Sequence, residues 1–435
     1  MKPLIWKNLS ATARAAALQR PAQSAQPRTA VIVRQIIAQV RREGDKGLRS
    51  IGRKFDGADL TSRLVTRAEF SAAEKSLSAA DKGALQTAYR NLKRFHAAQS
   101  SAPVRVETTP GIVCGKIVRP IGNVGLYVPG GSAPLFSTAL MLGVPSQIAG
   151  NPVRVLCTPP GRNKTGAVSP WILYAAKLCG IAEVFKVGGA QAIAAMAYGT
   201  ETIPKCDKLF GPGNSFVTEA KLQVSRDAAG AAIDLPAGPS EVLVIADNRA
   251  TPAFVAADLL SQAEHGPDSQ VVLVAFSEKF AGRVLAELES QVAVLPRGNT
   301  ARLALERSLI LIAANRTEAV EISNRYAPEH LILQVANPRD LLVSVMTAGS
   351  VFLGDWTPES LGDYASGTNH VLPTYGWARA CSGLGLSDFS RTMTVQTASA
   401  AGLKKLGPVV ERLALAEGLA AHQRAVRVRL ASLPK

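Results

Sequence analysis

Histidine is scarce in this 435-residue chain, five in all, so each can be weighed by its neighbours. The run Tyr326-Ala327-Pro328-Glu329-His330-Leu331 sets a carboxylate beside an imidazole, two groups that carry protons near neutral pH. Adjacent residues on a strand point to opposite faces, so Glu329 and His330 reach one substrate only if Pro328 makes the start of the strand irregular. A solvated glutamate beside a strand-start histidine fits the pattern equally well. Gln262 and His265 stand three apart near the end of an expected helix, a spacing suited to two ligands of one metal ion. Gly266-Pro267 ends that helix, and on pattern alone His265 as a C-terminal cap outweighs a metal ligand. The densest polar stretch runs from Gly354 to His370, with three glycines, two aspartates and several hydroxyls. A loop this long and polar inside an α/β domain carries function more often than it fills space; Asp363 could supply a metal carboxylate and His370 a substrate contact. Glu417 and His422 lie on a C-terminal helical run, diverge by about 140° on an ideal helix, and could still flank one ligand, although an exposed pair is the default. His96, in the charged stretch NLKRFHAAQ, reads as surface packing.

Phosphate binding has to be sought separately. No GxGxxG follows an expected strand, and Gly383-Leu384-Gly385 lacks one before it. Three glycine turns have a suitable texture: Tyr127-Val128-Pro129-Gly130-Gly131, Gly188-Gly189-Ala190-Gln191 and Gly211-Pro212-Gly213-Asn214. The middle one fits best, because a strand precedes it and a helix follows whose first amides could face an anion. As tight turns without a ligand all three would be equally ordinary. The five cysteines are scattered with no CxxC pair, against a disulfide framework and a cysteine-rich zinc site.

The elements that must position these residues alternate. The first hundred residues read as helices, from Ala30–Arg42 through Ala68–Ala98, with Ser71 and Glu74 at capping-box spacing. From about Gly111 short apolar runs (Val153–Cys157, Glu183–Val187, Glu241–Ala246, Val271–Ala275, His330–Val335) alternate with helical stretches (Trp171–Leu178, Ala190–Tyr198, Pro252–Glu264, Lys279–Leu288). That alternation implies an α/β fold with mostly parallel sheets, two of them. Seams are expected at Val128–Pro134, Pro236–Pro239 and Ser382–Gly385. Leu413–Leu430 reads as a terminal helix that must dock on its own domain or on a partner. No apolar run approaches the roughly 18 residues of a membrane span. The net charge of +16 is lopsided, with twenty Lys/Arg against eight Asp/Glu before residue 111; these charges punctuate Ala- and Leu-rich helical pattern and read as solvated faces rather than a nucleic-acid surface. The Arg- and Ser-rich start superficially suits a transit peptide, but Val31–Val40 has helical apolar spacing and runs into the domain. The residues alone point to a soluble α/β protein, with room for a mixed nitrogen/oxygen metal site.

Read together, the blocks GLYVPGGSAPLFSTALML, KVGGAQAIAAMAYGT, GPGNSFVTEAK, DLPAGPSEVLVIAD, DLLSQAEHGPDSQ, APEHL, AGSVFLGDW, GDYASGTNHVLPT and AEGLAAH closely resemble the histidinol dehydrogenase family, from about Trp6 to the C-terminus. The resemblance implies oxidation of L-histidinol to L-histidine through L-histidinaldehyde, with two NAD and one zinc ion per subunit. It implies two incomplete Rossmann-like units, a helical N-terminal segment and a C-terminal tail that crosses to the other subunit of a homodimer. The corresponding division is 1–22, a main domain of 23–126 with 240–380, an NAD-contacting domain of 127–239, and a tail of 381–435. Carried over by position, zinc falls to Gln262, His265, Asp363 and His422, the last from the partner, and the acid/base pair to Glu329 and His330. Substrate contacts are Ser240, His370 and Glu417 together with the zinc ligands and His330; NAD contacts are Tyr127, Gln191 and Asn214. A covalent cysteine is not expected, because neither Cys114 nor Cys157 lies in a block with an obvious base. The resemblance also implies a cytoplasmic enzyme with no membrane or nucleic-acid partner. The alternative is a paralogue that oxidises another small alcohol, such as a sulfonated diol, although an anionic sulfonate would prefer Arg or Lys where His370 and Glu417 stand.

Overall fold

Glu241–Ala246 and Gln270–Ala275 are buried at every residue, which a strand achieves only when helices cover both faces of a parallel sheet. The computed structural model describes residues 2–20, 27–56, 62–100, 102–130, 135–161, 166–235 and 238–434, and places these two runs at the centre of its larger sheet. Numbered along the chain, the strands are β1 (Pro3–Ile5), β2 (Val104–Thr109), β3 (Ile112–Pro120), β4 (Asn123–Tyr127), β5 (Val153–Thr158), β6 (Glu183–Lys186), β7 (Lys208–Phe210), β8 (Ala232–Ile233), β9 (Glu241–Ala246), β10 (Gln270–Ala275), β11 (Leu309–Ile312), β12 (His330–Gln334), β13 (Ser350–Leu353) and β14 (Ser390–Ala398).

The larger sheet has the order β1-β11-β10-β9-β12-β13 and the smaller β6-β5-β4-β7-β8, parallel throughout. Counted from its own first strand, each runs 3-2-1-4-5, with β1 added on the outside of the larger. The strand order therefore reverses between β9 and β12 in one sheet and between β4 and β7 in the other, which in open α/β sheets opens a crevice at the carboxyl ends. A third, antiparallel sheet of β14-β3-β2 was not legible in the sequence. Its outer strands β2 and β14 are almost wholly exposed and β3 between them is mostly half-buried on both faces, so none shows the apolar alternation that marks a strand with one buried face.

The apolar strands and their helices fall where the sequence puts them, within a residue or two at most ends and four at the close of the helix Glu278–Val292. Three expectations are corrected. Ser71 caps nothing: the run 68–98 is two helices, Arg67–Ser76 and Ala79–Ala97, with capping boxes at Thr66/Glu69 and Ser78/Asp81. The C-terminal run is likewise two helices, Ala400–Ala416 and Ala420–Ala431, broken at Gly418 with φ of 73°. His96 is fully buried, with Nδ1 on the Leu92 carbonyl at 2.9 Å and Nε2 facing Asn369 at 3.4 Å; burial lowers its pKa.

The helix Pro27–Phe55 lies on the helices Gly189–Tyr198 and Ser215–Ser225, and the two that follow lie on Pro170–Leu178 and Phe136–Ala149, all beside the smaller sheet. The expected seams at Val128–Pro134 and Pro236–Pro239 lie partly outside the described residues. Among the described residues no helix is long and apolar enough to cross a membrane.

Candidate active site

The helix Arg316–Tyr326 stops at Ala327, which takes a left-handed conformation with φ of 54°, a backbone state that costs a residue with a Cβ. Pro328 follows, and β12 begins only at His330. This irregular start lets Glu329 and His330 share one space, with Glu329 Oε2 3.7 Å from His330 Nδ1. Both are pinned by one residue of the neighbouring strand: the Glu241 N–H donates to Glu329 Oε2 at 2.8 Å, and His330 Nδ1 donates to the Glu241 carbonyl at 3.0 Å. Glu241 is itself buried and held by Arg20 from the N-terminal segment, which binds both carboxylate oxygens and stacks on Tyr326.

Because Nδ1 is committed to that carbonyl, His330 presents Nε2 to the interior, 3.6 Å from Asp363 Oδ1. Asp363 and Glu359 come from the short helix Glu359–Tyr364, and with His330 they form the group of ligand-type atoms lying within 4.8 Å of one another. Gln262, in the last turn of the helix Pro252–Ala263, directs its amide nitrogen at Glu359 and accepts the Glu241 N–H at 3.1 Å. His265, just past that helix, binds the Ser261 carbonyl through Nδ1 at 2.9 Å. It therefore caps the helix as the pattern suggested, and Nε2 is the ring nitrogen left to serve a ligand. His370 and His265 both act electrostatically on Asp363. Asn369 Nδ2 ties this loop to the Met141 carbonyl at 2.7 Å, on a helix beside the smaller sheet.

Burial pushes the Glu329 carboxyl up to about 8 against the opposing pull of His330. Burial works to lower the pKa of His330, but Glu359, Glu329 and Asp363 outweigh it and raise it well above the usual range. Burial raises Glu359; burial also works to raise Asp363, but the adjacent His330 outweighs it and brings Asp363 down. Asp258 lies beneath Glu359, accepts from Gln334 Nε2 at 2.6 Å, and is raised by burial to about 7. Three buried atoms here, His330 Nε2, Asp363 Oδ1 and His370 Nε2, have no hydrogen-bond partner. Orphaned atoms at such density are costly unless a ligand satisfies them, and imidazole with carboxylate is a donor set that zinc accepts.

Tyr127, Gln191 and Asn214 meet elsewhere, lining a cavity of about 570 Å³ at the carboxyl ends of the smaller sheet. The Tyr127 hydroxyl accepts the Gly189 N–H at 3.0 Å, and burial pushes the phenol up to about 12. Asn214 commits its carbonyl oxygen to capping the next helix, accepting from the N–H groups of Phe216 and Val217. Gln191 donates to Asp56 at 3.3 Å.

Ser240 is half-buried at the foot of β9 beside the first cluster. Glu417 and His422 are exposed on the tail helices, which the chain does not bring to the cluster. Cys157, Cys179 and Cys206 are buried; burial lifts Cys157 well above the usual thiol range and the other two to about 12, which disfavours a thiolate nucleophile. Sequence reasoning assigned nothing to Glu359, Glu241, Asp258, Arg20 or Asp56. Glu359 stood inside the polar run that was singled out, so composition had flagged the segment but not the residue.

These features define an α/β protein built on two parallel sheets, with a crevice at the carboxyl ends of one and a buried histidine–carboxylate cluster at the amino ends of the other. The family profile for histidinol dehydrogenase matches residues 18–430. Histidinol dehydrogenase of Vibrio cholerae is 57% identical over 435 residues, covering 100% of both chains. That of Xanthomonas axonopodis pv. citri is 58% identical over 430 residues, covering 99% of each. The crystal structure of histidinol dehydrogenase from Elizabethkingia anophelis superposes with a TM-score of 0.95 at 48% identity, covering 99% of this chain and 98% of that one. The chain belongs to the histidinol dehydrogenase family.

Proposed function

We propose that this protein oxidises L-histidinol to L-histidine through L-histidinaldehyde, at the end of histidine biosynthesis in the cytoplasm, as a homodimer using two NAD per turnover and one zinc ion per subunit. The observation that carries this reading is the buried Glu329–His330 pair, pinned by Glu241 and facing the orphaned Asp363 and His370 atoms.

His265, Asp363 and Gln262 would hold the metal, Gln262 by turning its amide so that oxygen rather than nitrogen faces the cluster, and the partner subunit's His422 would complete the set. When bound, zinc supplies positive charge and an anchor for the amine and imidazole nitrogens of the substrate, and NAD is the hydride acceptor. His330, in the neutral form that a neighbouring metal cation would favour, takes the hydroxyl proton at Nε2 in the first oxidation, since Nδ1–H is held by the Glu241 carbonyl. Glu329, ionised and made a stronger base by a pKa raised to about 8, then takes a proton from the water that adds to the aldehyde, while the proton on His330 Nε2 passes to the carbonyl oxygen, completing the hydrate and freeing Nε2. His330 Nε2 accepts the hydroxyl proton of the resulting hydrate as the second hydride leaves. Ser240, His370 and, across the dimer, Glu417 orient the amino alcohol. The dimer is supported by the tail: Ala420–Ala431 buries no residue of its own, and Val409, Leu413, Leu415 and Val428 are exposed, an apolar excess that a second copy would cover.

The test is NADH formed per L-histidinol consumed, before and after chelation. Two NADH per histidine, lost on chelation and restored by zinc, is the expected result. A folded, metal-loaded dimer that makes no NADH from histidinol would overturn the reading.

A further inference from the structure

In a doubly wound sheet the nucleotide ribose is usually held by an acid at the end of the second strand, where it accepts from the ribose hydroxyls and repels a 2′-phosphate. Here that strand is β5, and the segment cannot supply one: no Asp or Glu occurs between Glu107 and Glu183. β5 instead ends in Thr158-Pro159-Pro160-Gly161, and all four line the cavity. One carboxylate does line it, that of Asp56, which arrives from outside the sheet at the end of the helix Pro27–Phe55. It is half-buried and meets Gln191 Nε2 at 3.3 Å. On its far side a small recess is lined by Arg49, Arg63 and Lys186, the last paired with Glu69.

Resting on the reading of this cavity as the NAD site, we propose that Asp56 is the residue that selects NAD over NADP, accepting hydrogen bonds from the ribose hydroxyls of the nucleotide and excluding a 2′-phosphate. The helical N-terminal region thus supplies the acid that β5 lacks. Burial raises the carboxyl of Asp56, and ribose hydroxyls are donors that would satisfy its charged form.

The experiment is a fluorescence titration of metal-loaded, full-length enzyme with NADH and with NADPH, for wild type, Asp56→Asn and Asp56→Ala. Hydrogen bonds to a charged group are worth about 1.5–3 kcal/mol, so wild type should prefer NADH by about tenfold or more. Asp56→Asn should tighten NADPH binding by about tenfold, the same factor with the repulsion removed, and Asp56→Ala should weaken NADH as well. Both affinities staying within about twofold of wild type in both variants would overturn the role of Asp56 and leave the NAD site standing. Wild type that shows no saturable response to either nucleotide would instead overturn the reading of the cavity on which the proposal rests.

Discussion

The two parallel sheets share a strand order, yet their polar residues gather at opposite ends. In the smaller sheet Tyr127, Thr158, Gly189 and Asn214 stand at or just beyond the carboxyl ends of β4 to β7. In the larger sheet Ser240, Glu241, Glu329 and His330 stand at the amino ends of β9 and β12, next to Gln262 and His265 at the close of a helix. The dipoles of the intervening helices account for the division. Carboxyl ends of parallel strands meet helix N-termini, whose free N–H groups suit a pyrophosphate. Amino ends meet helix C-termini, whose partial negative charge suits cations, such as the metal proposed there and the imidazolium that His330 becomes when it takes a proton. One topology can thus serve an anion or a cation, according to which end of the sheet is used.

The sharpest way to break this comparison is at the cationic end. His330→Asn should lower kcat for both oxidations by about 10³-fold or more, the range for a lost acid–base group, and an unchanged kcat would remove His330 from the chemistry. Replacing His422 by Ala should also inactivate the enzyme, by removing a ligand that each copy lends to the other. Mixed with His330→Asn under conditions that exchange subunits, it should recover about a quarter of wild-type activity, because half of the dimers are mixed and each holds one intact site. No recovery would contradict a site shared between copies. Glu329→Gln should slow the aldehyde step by about 10²-fold and the alcohol step much less, read by single-turnover NADH formation; equal losses would undo that division of labour.

Stability offers a gentler test. Glu329, raised to about 8, and Asp258, raised to about 7, bind protons more tightly folded than unfolded. Their contribution is complete below the ordinary carboxyl range and is lost as pH rises through those values. The Tm of chelated enzyme should therefore fall between about pH 5 and pH 8, and Asp258→Asn should flatten the fall. A Tm that rises across that window would show the cluster to be ionised in the metal-free protein.

What was legible followed from burial. β9, β10 and β12 are apolar runs, and their parallel pairing followed from the helices between them. Gln262, His265, Asp363 and the pair Glu329–His330 were flagged by composition and spacing, and the family resemblance gave each a role. Glu241 escaped notice because its part is played largely through backbone N–H and C=O, which no side-chain pattern reveals. Arg20 and Asp56 act on sites far along the chain from charged helical segments, where a functional cation or acid looks like any solvated one. His96 was misread for the same reason: a charged stretch of helix can still turn one face inward.

The most direct test of the division between the two ends is to measure NADH affinity and kcat on the same preparations of His330→Asn and Tyr127→Phe. Losing the Tyr127 hydroxyl, which accepts the Gly189 N–H, should weaken NADH by about fivefold, the worth of one neutral hydrogen bond, and leave kcat at saturating NAD near that of wild type. His330→Asn should do the reverse, with NADH affinity within about twofold of wild type while kcat collapses. If His330→Asn weakens NADH in parallel with kcat, the two ends are not separate sites and the account fails.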